Sequence, residues 1–563
     1  MSDADADGFR QDLFYADTDR EAGADNVQFA GFDVQPVVFG VAVGVILLFV
    51  VVTLGVGEET AGAAFGAIQD TIANYLGWFY ILCANVFILV VLYFGLGKYG
   101  SIRIGGPTQE TEFSDFSWLA MLFSAGMGIG LMFWSVGEPI WHYSAPPYGE
   151  AETAAAAETS MVATFFHWGI HPWAIYGIVA LGLAFYAYNR GLPLTFRSLF
   201  WPLLGERIYG WPGHLIDILA IFATAFGLAT SLGLGAQQVN AGVNAISGEF
   251  MGTAVPVSTT VQVVLIAIIT AMATVSVWAG LDKGVKRLSQ LNVYLMLALL
   301  GTILVVGPTV FIFETFVQTL GAYVATLPTL AFWTASYEGG SEGWQAGWTI
   351  FYWGWWIAWS PFVGMFIARI SKGRTIREFV LAVMFLPALF SFFWMSAFGG
   401  TALHFELFTD QSIMEAVQAD VAVAMFELFA LLPLAILLSA VAIVLVVSFF
   451  VTSSDSGSLV LGSISEGGKD DATRPTRVSW AVFEGLIAAV LLIGGGLTAL
   501  QTASIVTGLP FAVVLLLICY TLWVGLAKEH RLLQRDDVQR QLRQYQDQER
   551  PERSPGAVPT DDD

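Results

Sequence analysis

Cysteine, lysine and charge are what this chain has least of. Only two cysteines, Cys83 and Cys519, occur in 563 residues, and both sit inside apolar runs. They read as small core hydrophobes, and no disulfide framework is implied. Lysine occurs six times, at 98, 283, 286, 372, 469 and 528. There is no basic patch, so nucleic acid is not an expected partner. No basic stretch precedes the first apolar run, so no cleavable leader is expected. Charged residues make up 12% of the chain and hydrophobic ones 56%. That balance argues against a string of soluble domains, because apolar runs of about 20 residues recur and each can span a bilayer. The net charge of −22 suits a protein that stays hydrated in concentrated salt, or one with acidic, unstructured tails.

Hydropathy places spans near 36–56, 73–95, 116–136, 159–188, 213–240, 257–279, 291–313, 345–368, 378–402, 431–462, 478–496 and 504–527. The basic residues then fall in alternate loops. Lys98 and Arg103 follow span 2, and Arg190, Arg197 and Arg207 follow span 4. Lys283, Lys286 and Arg287 follow span 6. Arg369, Lys372, Arg374 and Arg377 follow span 8, and Lys469, Arg474 and Arg477 follow span 10. The loops after spans 1, 3, 5, 7, 9 and 11 hold none. Positive loops stay in the cytoplasm, so both termini are expected inside and the number of spans is even. The fold class is therefore an all-α polytopic membrane protein with twelve transmembrane helices over residues 36–527. Residues 1–35 carry nine acids and two arginines and are expected to be a structureless cytoplasmic tail. Residues 528–563 form a second cytoplasmic tail, and 528–550, with six basic and five acidic residues, suit a solvated helix. Outer loops near 314–335 and 411–428 are long enough for surface helices.

Span 3 contains Ser124-Ala125-Gly126-Met127-Gly128-Ile129-Gly130. Each glycine costs about 1 kcal/mol in a helix interior. Glycines that packed against a neighbouring helix would recur every three or four residues. These alternate, and an unwound segment at mid-depth fits better. Such backbone is tolerated there only when buried or lining a cavity. Its freed carbonyls suit a cation and its freed N–H groups an anion. Spans 3–7 and 8–12 are equal halves, and five is odd, so the second set is inverted. Inverted five-helix repeats with a broken first helix resemble the LeuT-like architecture.

Span 8 reads Phe-Tyr-Trp-Gly-Trp-Trp-Ile-Ala-Trp-Ser-Pro-Phe over 351–362. Trp344, Trp348, Trp355 and Trp359 fall within roughly 60° of one another at about 100° per residue. Trp344 and Trp348 suit packing at the outer end. Trp355, Trp356 and Trp359 lie near mid-depth, where indole faces can hold a cation without a counter-charge. In span 4, Trp173 and Tyr176 share a face, while Trp168 lies on another, about two turns outward on an ideal helix. Pro172 is a candidate bend that would alter that relation. His167 and His171 lack an evident third metal ligand, so structural hydrogen bonding is expected of them. Span 10 carries Thr452-Ser453-Ser454-Asp455-Ser456, a polar run that normally faces a cavity or a partner helix.

The segments GMGIGLMFW (126–134), HWGIHPWAIY (167–176), FYWGWWIAWSPFVGMFIARISKGRTIREF (351–379) and TSSDSGSLVLG (452–462) resemble those of the betaine/choline/carnitine transporter family. The resemblance implies twelve spans, a LeuT-like core from spans 3–12, a homotrimer in the cell membrane, and uptake of quaternary-ammonium solutes without a cofactor or enzyme chemistry. It implies an aromatic box of Trp168, Trp173, Tyr176 and Trp356, with Trp355 and Trp359 along the same pathway. Gly126, Met127, Gly128 and Gly130 would receive the solute carboxylate. A Na⁺ site would use Ser124, Met127, Thr452 and Ser453. A second would use Thr224 and Phe362, although Leu228 stands where another Thr would help.

Span 5 has no Lys or Arg to replace the ion, so Na⁺ symport is expected over exchange. No carboxylate interrupts the glycine segment, and Glu138 lies at the outer end of span 3, too far along to neutralise the box. A zwitterion such as glycine betaine therefore fits better than choline, with carnitine and ectoine as further alternatives. The rivals are another LeuT-like symporter, an intramembrane enzyme and a passive channel.

Overall fold

The computed structural model describes residues 14–126, 128–279, 282–338 and 343–549. Apart from one small hairpin, its regular structure is helical. The hairpin pairs β1 (Val27–Phe29) with β2 (Phe32–Val34), antiparallel. The structureless tail expected over 1–35 thus does not hold for 14–35. Phe14 is buried, its carbonyl accepts from Arg190 at 2.9 Å, and Lys469 donates to Asp33 at 2.5 Å. Tail composition concealed this because the apolar anchors are few and far apart in sequence.

Helix α1 (Pro36–Val56) starts with proline at its first position and Gln35 accepting from the Val38 amide, both favourable at a helix start. Then follow α2 (Glu58–Leu96), α3 (Asp115–Gly126), α4 (Ile129–Ser144), α5 (Ala154–Trp168), α6 (Ile170–Ala184), α7 (Trp211–Met251), α8 (Thr259–Ala279), α9 (Asp282–Val306) and α10 (Thr309–Ala331). The second half holds α11 (Phe351–Ile370), α12 (Ile376–Phe408), α13 (Ala435–Ser465), α14 (Arg474–Leu533) and α15 (Asp536–Glu549). Short helices at Met414–Ala419 and Ala424–Ala430 occupy the loop after span 9.

Eleven helices among the described residues are long and apolar enough to cross a membrane. Three features reconcile this count with the twelve expected spans. Span 3 is absent from the eleven because it is broken into α3 and α4. Spans 11 and 12 are merged in α14, whose backbone leaves helical geometry at Gly495 and Gly496. Finally, α10 is counted among the eleven although it lies in the loop after span 7.

Helix α10 cannot be a crossing, because loop pairing fixes the parity. Ile104 and Ile376 amides donate to the Arg374 and Ile102 carbonyls, each at 2.9 Å. The loops after spans 2 and 8 therefore share one face. A crossing by α10 would put them on opposite faces.

The basic loops after spans 4 and 10 meet at the same face. The Asn189 side chain donates to the Arg103 carbonyl at 3.0 Å, and Arg369 donates to the Asp470 carbonyl at 3.3 Å. Arg190 pairs with Glu529 at 2.6 Å, tying the end of α14 there too. The hairpin joins through Lys469. The two described chain ends thus sit with the positive loops, as the charge alternation requires.

Candidate functional site

The predicted unwound segment of span 3 is a true break. Helix α3 ends at Gly126 and α4 begins at Ile129. Gly128 precedes α4 in extended conformation, and no side chain caps the new helix start. The first amides of α4 thus have no partner within their own helix, and its dipole adds positive character there. Met127 lies outside the described residues. Ser124 and Gly126 belong to the last turns of α3.

A cavity opens beside this break, with about 40 Å³ of space for water centres. Its lining includes Gly128, Gly130, Trp168, Trp173, Tyr176, Trp355, Trp356 and Trp359. The structure therefore brings together all six predicted aromatic residues and two of the glycines. Trp168 and Trp356 meet edge to face at 5.0 Å between ring centres. Tyr176 stands 6.4 Å from Trp356 at 81°, and Trp173 5.4 Å from Tyr176 at 83°. Trp355 stacks on Trp356 at 4.7 Å. Gly130 must be small, because a Cβ there would sit 2.5 Å from the Trp355 ring. Ser231 and Ser391 also line the cavity. Sequence reading missed them, because each is one of several hydroxyl residues in its span and nothing in the sequence singles it out.

The indole N–H groups divide into two kinds. Trp356 donates to the His167 carbonyl at 3.0 Å, and Trp168 donates to Glu138 at 2.8 Å. The N–H groups of Trp355 and Trp359 are buried with no partner. They are two of the cavity's donors still open to a ligand.

Trp168 reaches the box because span 4 is also broken, at Gly169 rather than at Pro172. Helix α5 ends at Trp168, α6 begins at Ile170, and Gly169 has φ −89° and ψ −137°. A Cβ there would lie 2.6 Å from the Phe165 carbonyl oxygen and 2.7 Å from the Tyr323 hydroxyl. The ideal-helix argument that set Trp168 apart fails at this break.

Behind Trp168 lies a buried polar cluster that alters two expectations. Glu138 accepts from Trp168 at 2.8 Å and from the Tyr352 hydroxyl at 2.5 Å on one oxygen. Its other oxygen lies 2.6 Å from His167 Nδ1 and 3.3 Å from His142 Nε2. So Glu138 does not stand apart from the aromatic wall. It is hydrogen-bonded to it. His167 also acquires two neighbours that could complete a metal-ligand set, Glu138 and His142. His142 is a poor ligand, however. Trp344 donates to its Nδ1 at 3.1 Å, so the neutral ring carries its proton on Nε2, the nitrogen facing Glu138. His171 stays outside the cluster. Both its nitrogens lack partners, and it stacks on Trp353 at 4.9 Å. The hydrogen bonding expected of both histidines holds for His167 only. Trp344, expected as packing, serves this cluster as well.

The ion candidates are less concentrated. Thr452 and Ser453 are half-buried on α13, which packs against α4 and α7. The Thr452 hydroxyl bonds the Ser448 carbonyl at 3.0 Å. Asn292 of α9 lies 3.5 Å from that hydroxyl and also accepts from Ser448. Thr224 is buried and bonded to the Ala220 carbonyl of its own helix at 2.8 Å. Phe362 packs on Trp359 at 5.4 Å. Leu228 lies 2.3 Å from where a Cβ on Gly457 would stand, and Glu484 Oε1 lies 3.0 Å from the same point.

The family model described as betaine/carnitine/choline family transporter matches residues 37–531. A glycine betaine/proline/choline transporter of Vibrio parahaemolyticus is 45% identical over 92% of this chain and 95% of its own length. Glycine betaine transporter 1 of the same organism is 47% identical over 91% of this chain and 98% of its own. A glycine betaine transporter of Acinetobacter baylyi is 44% identical over 89% of this chain and 74% of its own.

Proposed function

Because the chain belongs to the betaine/carnitine/choline transporter family, we propose that it imports a quaternary-ammonium osmolyte, with glycine betaine the leading candidate, by Na⁺ symport. The observation that carries this reading is the cavity walled by Trp168, Trp173, Tyr176, Trp355, Trp356 and Trp359 beside the break in span 3. A trimethylammonium group has no N–H to donate, so it is held by aromatic faces, at about 0.5–2 kcal/mol each. A carboxylate needs donors. The open N–H groups of Trp355 and Trp359 and the uncapped start of α4 supply them. The site thus offers π-faces to one end of a zwitterion and donors to the other.

Thr452 and Ser453, with backbone oxygens near Ser124 and Met127, would hold Na⁺ between spans 3 and 10. Thr224 and Phe362 would serve a second ion, a weaker site because Leu228 adds no oxygen. Coupling requires ion and solute to favour the same conformation. The ion bridges the broken span that also carries the solute's donors, so each stabilises the arrangement the other needs. The inward Na⁺ gradient then drives alternating access. The protein would act in the cell membrane as a homotrimer with both termini cytoplasmic, following the positive-inside rule.

Choline is the second reading. The Glu138 carboxylate bonded to Trp168 favours it, because a net cation gains from a buried negative charge that a zwitterion uses less. Binding of labelled glycine betaine to purified protein tests the box. Trp356→Leu should weaken binding at least tenfold, whereas unchanged binding would refute the assignment.

A further inference from the structure

We infer that Glu138 is an ionised counter-charge wired to the aromatic box through Trp168, and that it sets how strongly the site prefers a net cation over a zwitterion. The inference rests on the quaternary-ammonium reading of the box and goes beyond it by naming a specificity-determining residue outside the cavity lining.

The donor count supports ionisation. A carboxylate offers about four lone-pair positions, and it accepts at all four only when it carries no proton. Four groups surround Glu138: Trp168 and Tyr352 on one oxygen, His167 and His142 on the other. Trp168 is a donor only, because an indole N–H cannot accept. His142 is a donor because Trp344 occupies its Nδ1. These two assignments leave each oxygen with a fixed donor. Tyr352 donates its O–H, and His167 donates from Nδ1 in the tautomer whose Nε2 accepts from the Thr349 hydroxyl at 3.0 Å. Among the described residues, no Lys or Arg pairs with Glu138; its ion-pair contacts are with the two histidines alone. The negative charge is thus spread over hydrogen bonds without being cancelled by a fixed cation.

The cluster adjoins the box and touches it at two rings, Trp168 and, through Tyr352 and the His167 carbonyl, Trp356. Trp168 gives its N–H to the carboxylate and its ring to the cavity wall, edge to face with Trp356. An N–H shared with an anion leaves more electron density on the ring, which strengthens the attraction of its face for a cation. The carboxylate's own field acts in the same direction through a buried, weakly screening medium. Choline carries one positive charge and receives the full effect. Glycine betaine brings a carboxylate into the same cavity, and the field on that group opposes the field on its trimethylammonium. Tyr352 couples the same carboxylate to α11, since its ring stacks on Trp356 at 5.6 Å. His142 and His167 hold the opposite oxygen, so the carboxylate cannot rotate away from Trp168 without losing both.

The test is the ratio of choline to glycine betaine affinity, which a purely structural role would leave unchanged. Purified Glu138→Gln and Glu138→Asp variants are titrated with choline, glycine betaine and 3,3-dimethyl-1-butanol, the uncharged carbon analogue of choline. Glu138→Gln should weaken choline about tenfold more than betaine and leave the uncharged analogue nearly unchanged. Glu138→Asp should restore most of the ratio. An equal loss for all three ligands would overturn the inference and make Glu138 a structural tie. Should Glu138→Gln fail to fold, Trp168→Phe cuts the link while keeping a ring. The choline-to-betaine ratio should then fall about threefold, and an unchanged ratio would overturn the inference. Failure of the unaltered protein to bind either ammonium compound would overturn the box itself, and this inference with it.

Discussion

Trp168, the last residue of α5, donates its indole N–H to Glu138 of α4 at 2.8 Å. Position along a single helix suggested the opposite. Glu138 lies eight positions beyond Gly130, or about 12 Å at 1.5 Å per residue. But α4 and α5 pack against each other, and the break at Gly169 leaves Trp168 at the end of α5 that meets Glu138. The outer wall of the box is therefore backed by a carboxylate held in place by two histidines and a tyrosine.

Tyr352→Phe removes one of the four donors and keeps the ring. A hydrogen bond to a charged group contributes about 1.5–3 kcal/mol, so the variant should melt several degrees lower in detergent. Thermal unfolding followed by tryptophan fluorescence checks this. A melting temperature equal to the parent's would mean that the short Tyr352 contact adds nothing to stability.

Gly169→Ala tests the break in span 4. Its Cβ would meet the Phe165 carbonyl, the Tyr323 hydroxyl and the Phe392 ring at 2.6, 2.7 and 2.9 Å. Overpacking of this kind costs about 1–3 kcal/mol. Loss of both thermal stability and solute binding is expected, since Trp168 is carried by the same turn. Full binding in the alanine variant would show that Trp168 does not depend on this turn.

Trp355 and Trp356 should respond differently to phenylalanine. Trp356→Phe strands the His167 carbonyl, and an unpaired buried polar group costs about 1–3 kcal/mol. The Trp355 N–H has no protein partner to strand. Trp355→Phe should therefore cost less stability but still weaken betaine binding. Paired melting and titration curves separate the two effects, and equal melting temperatures would contradict the assignment of their N–H partners.

Much of this was legible in sequence. Alternating glycines at 126, 128 and 130 marked the break in span 3, because no single helix face can use that spacing. Alternating basic loops marked the topology, because charge is costly to carry across a bilayer. The mid-depth tryptophans of span 8 marked the cavity wall. What sequence could not show was how helices cross. Glu138 and His142 meet His167 only through tertiary packing. Asn292 reaches Thr452 from a different helix, and the atoms crowding Gly169 come from three other segments. Nor could composition show that residues 14–35 dock, since two buried apolar residues far apart in sequence, Phe14 and Val34, and polar ties such as Lys469–Asp33 and Asn26–Glu466 anchor a segment that is otherwise acidic.

The Lys469–Asp33 pair gives a pH dependence. Donation from Lys469 holds the Asp33 carboxyl below its usual 3.8. A carboxylate with a lowered folded value adds stability that is fully present above its unfolded value and is lost as pH falls through the folded one. Lys469→Met should melt lower than the parent at neutral pH, by the roughly 0.2–1 kcal/mol typical of partly exposed pairs. The two curves should converge once the pH passes below the shifted value. A gap that persists there would mean Lys469 acts through packing of its stem.

Uptake of labelled glycine betaine into proteoliposomes is the most direct measurement of Na⁺-coupled transport. With an inward Na⁺ gradient the labelled solute should accumulate above its outside concentration. With Na⁺ replaced by choline-free potassium salt it should not. Equal uptake under both conditions would contradict symport, whatever the aromatic cavity binds.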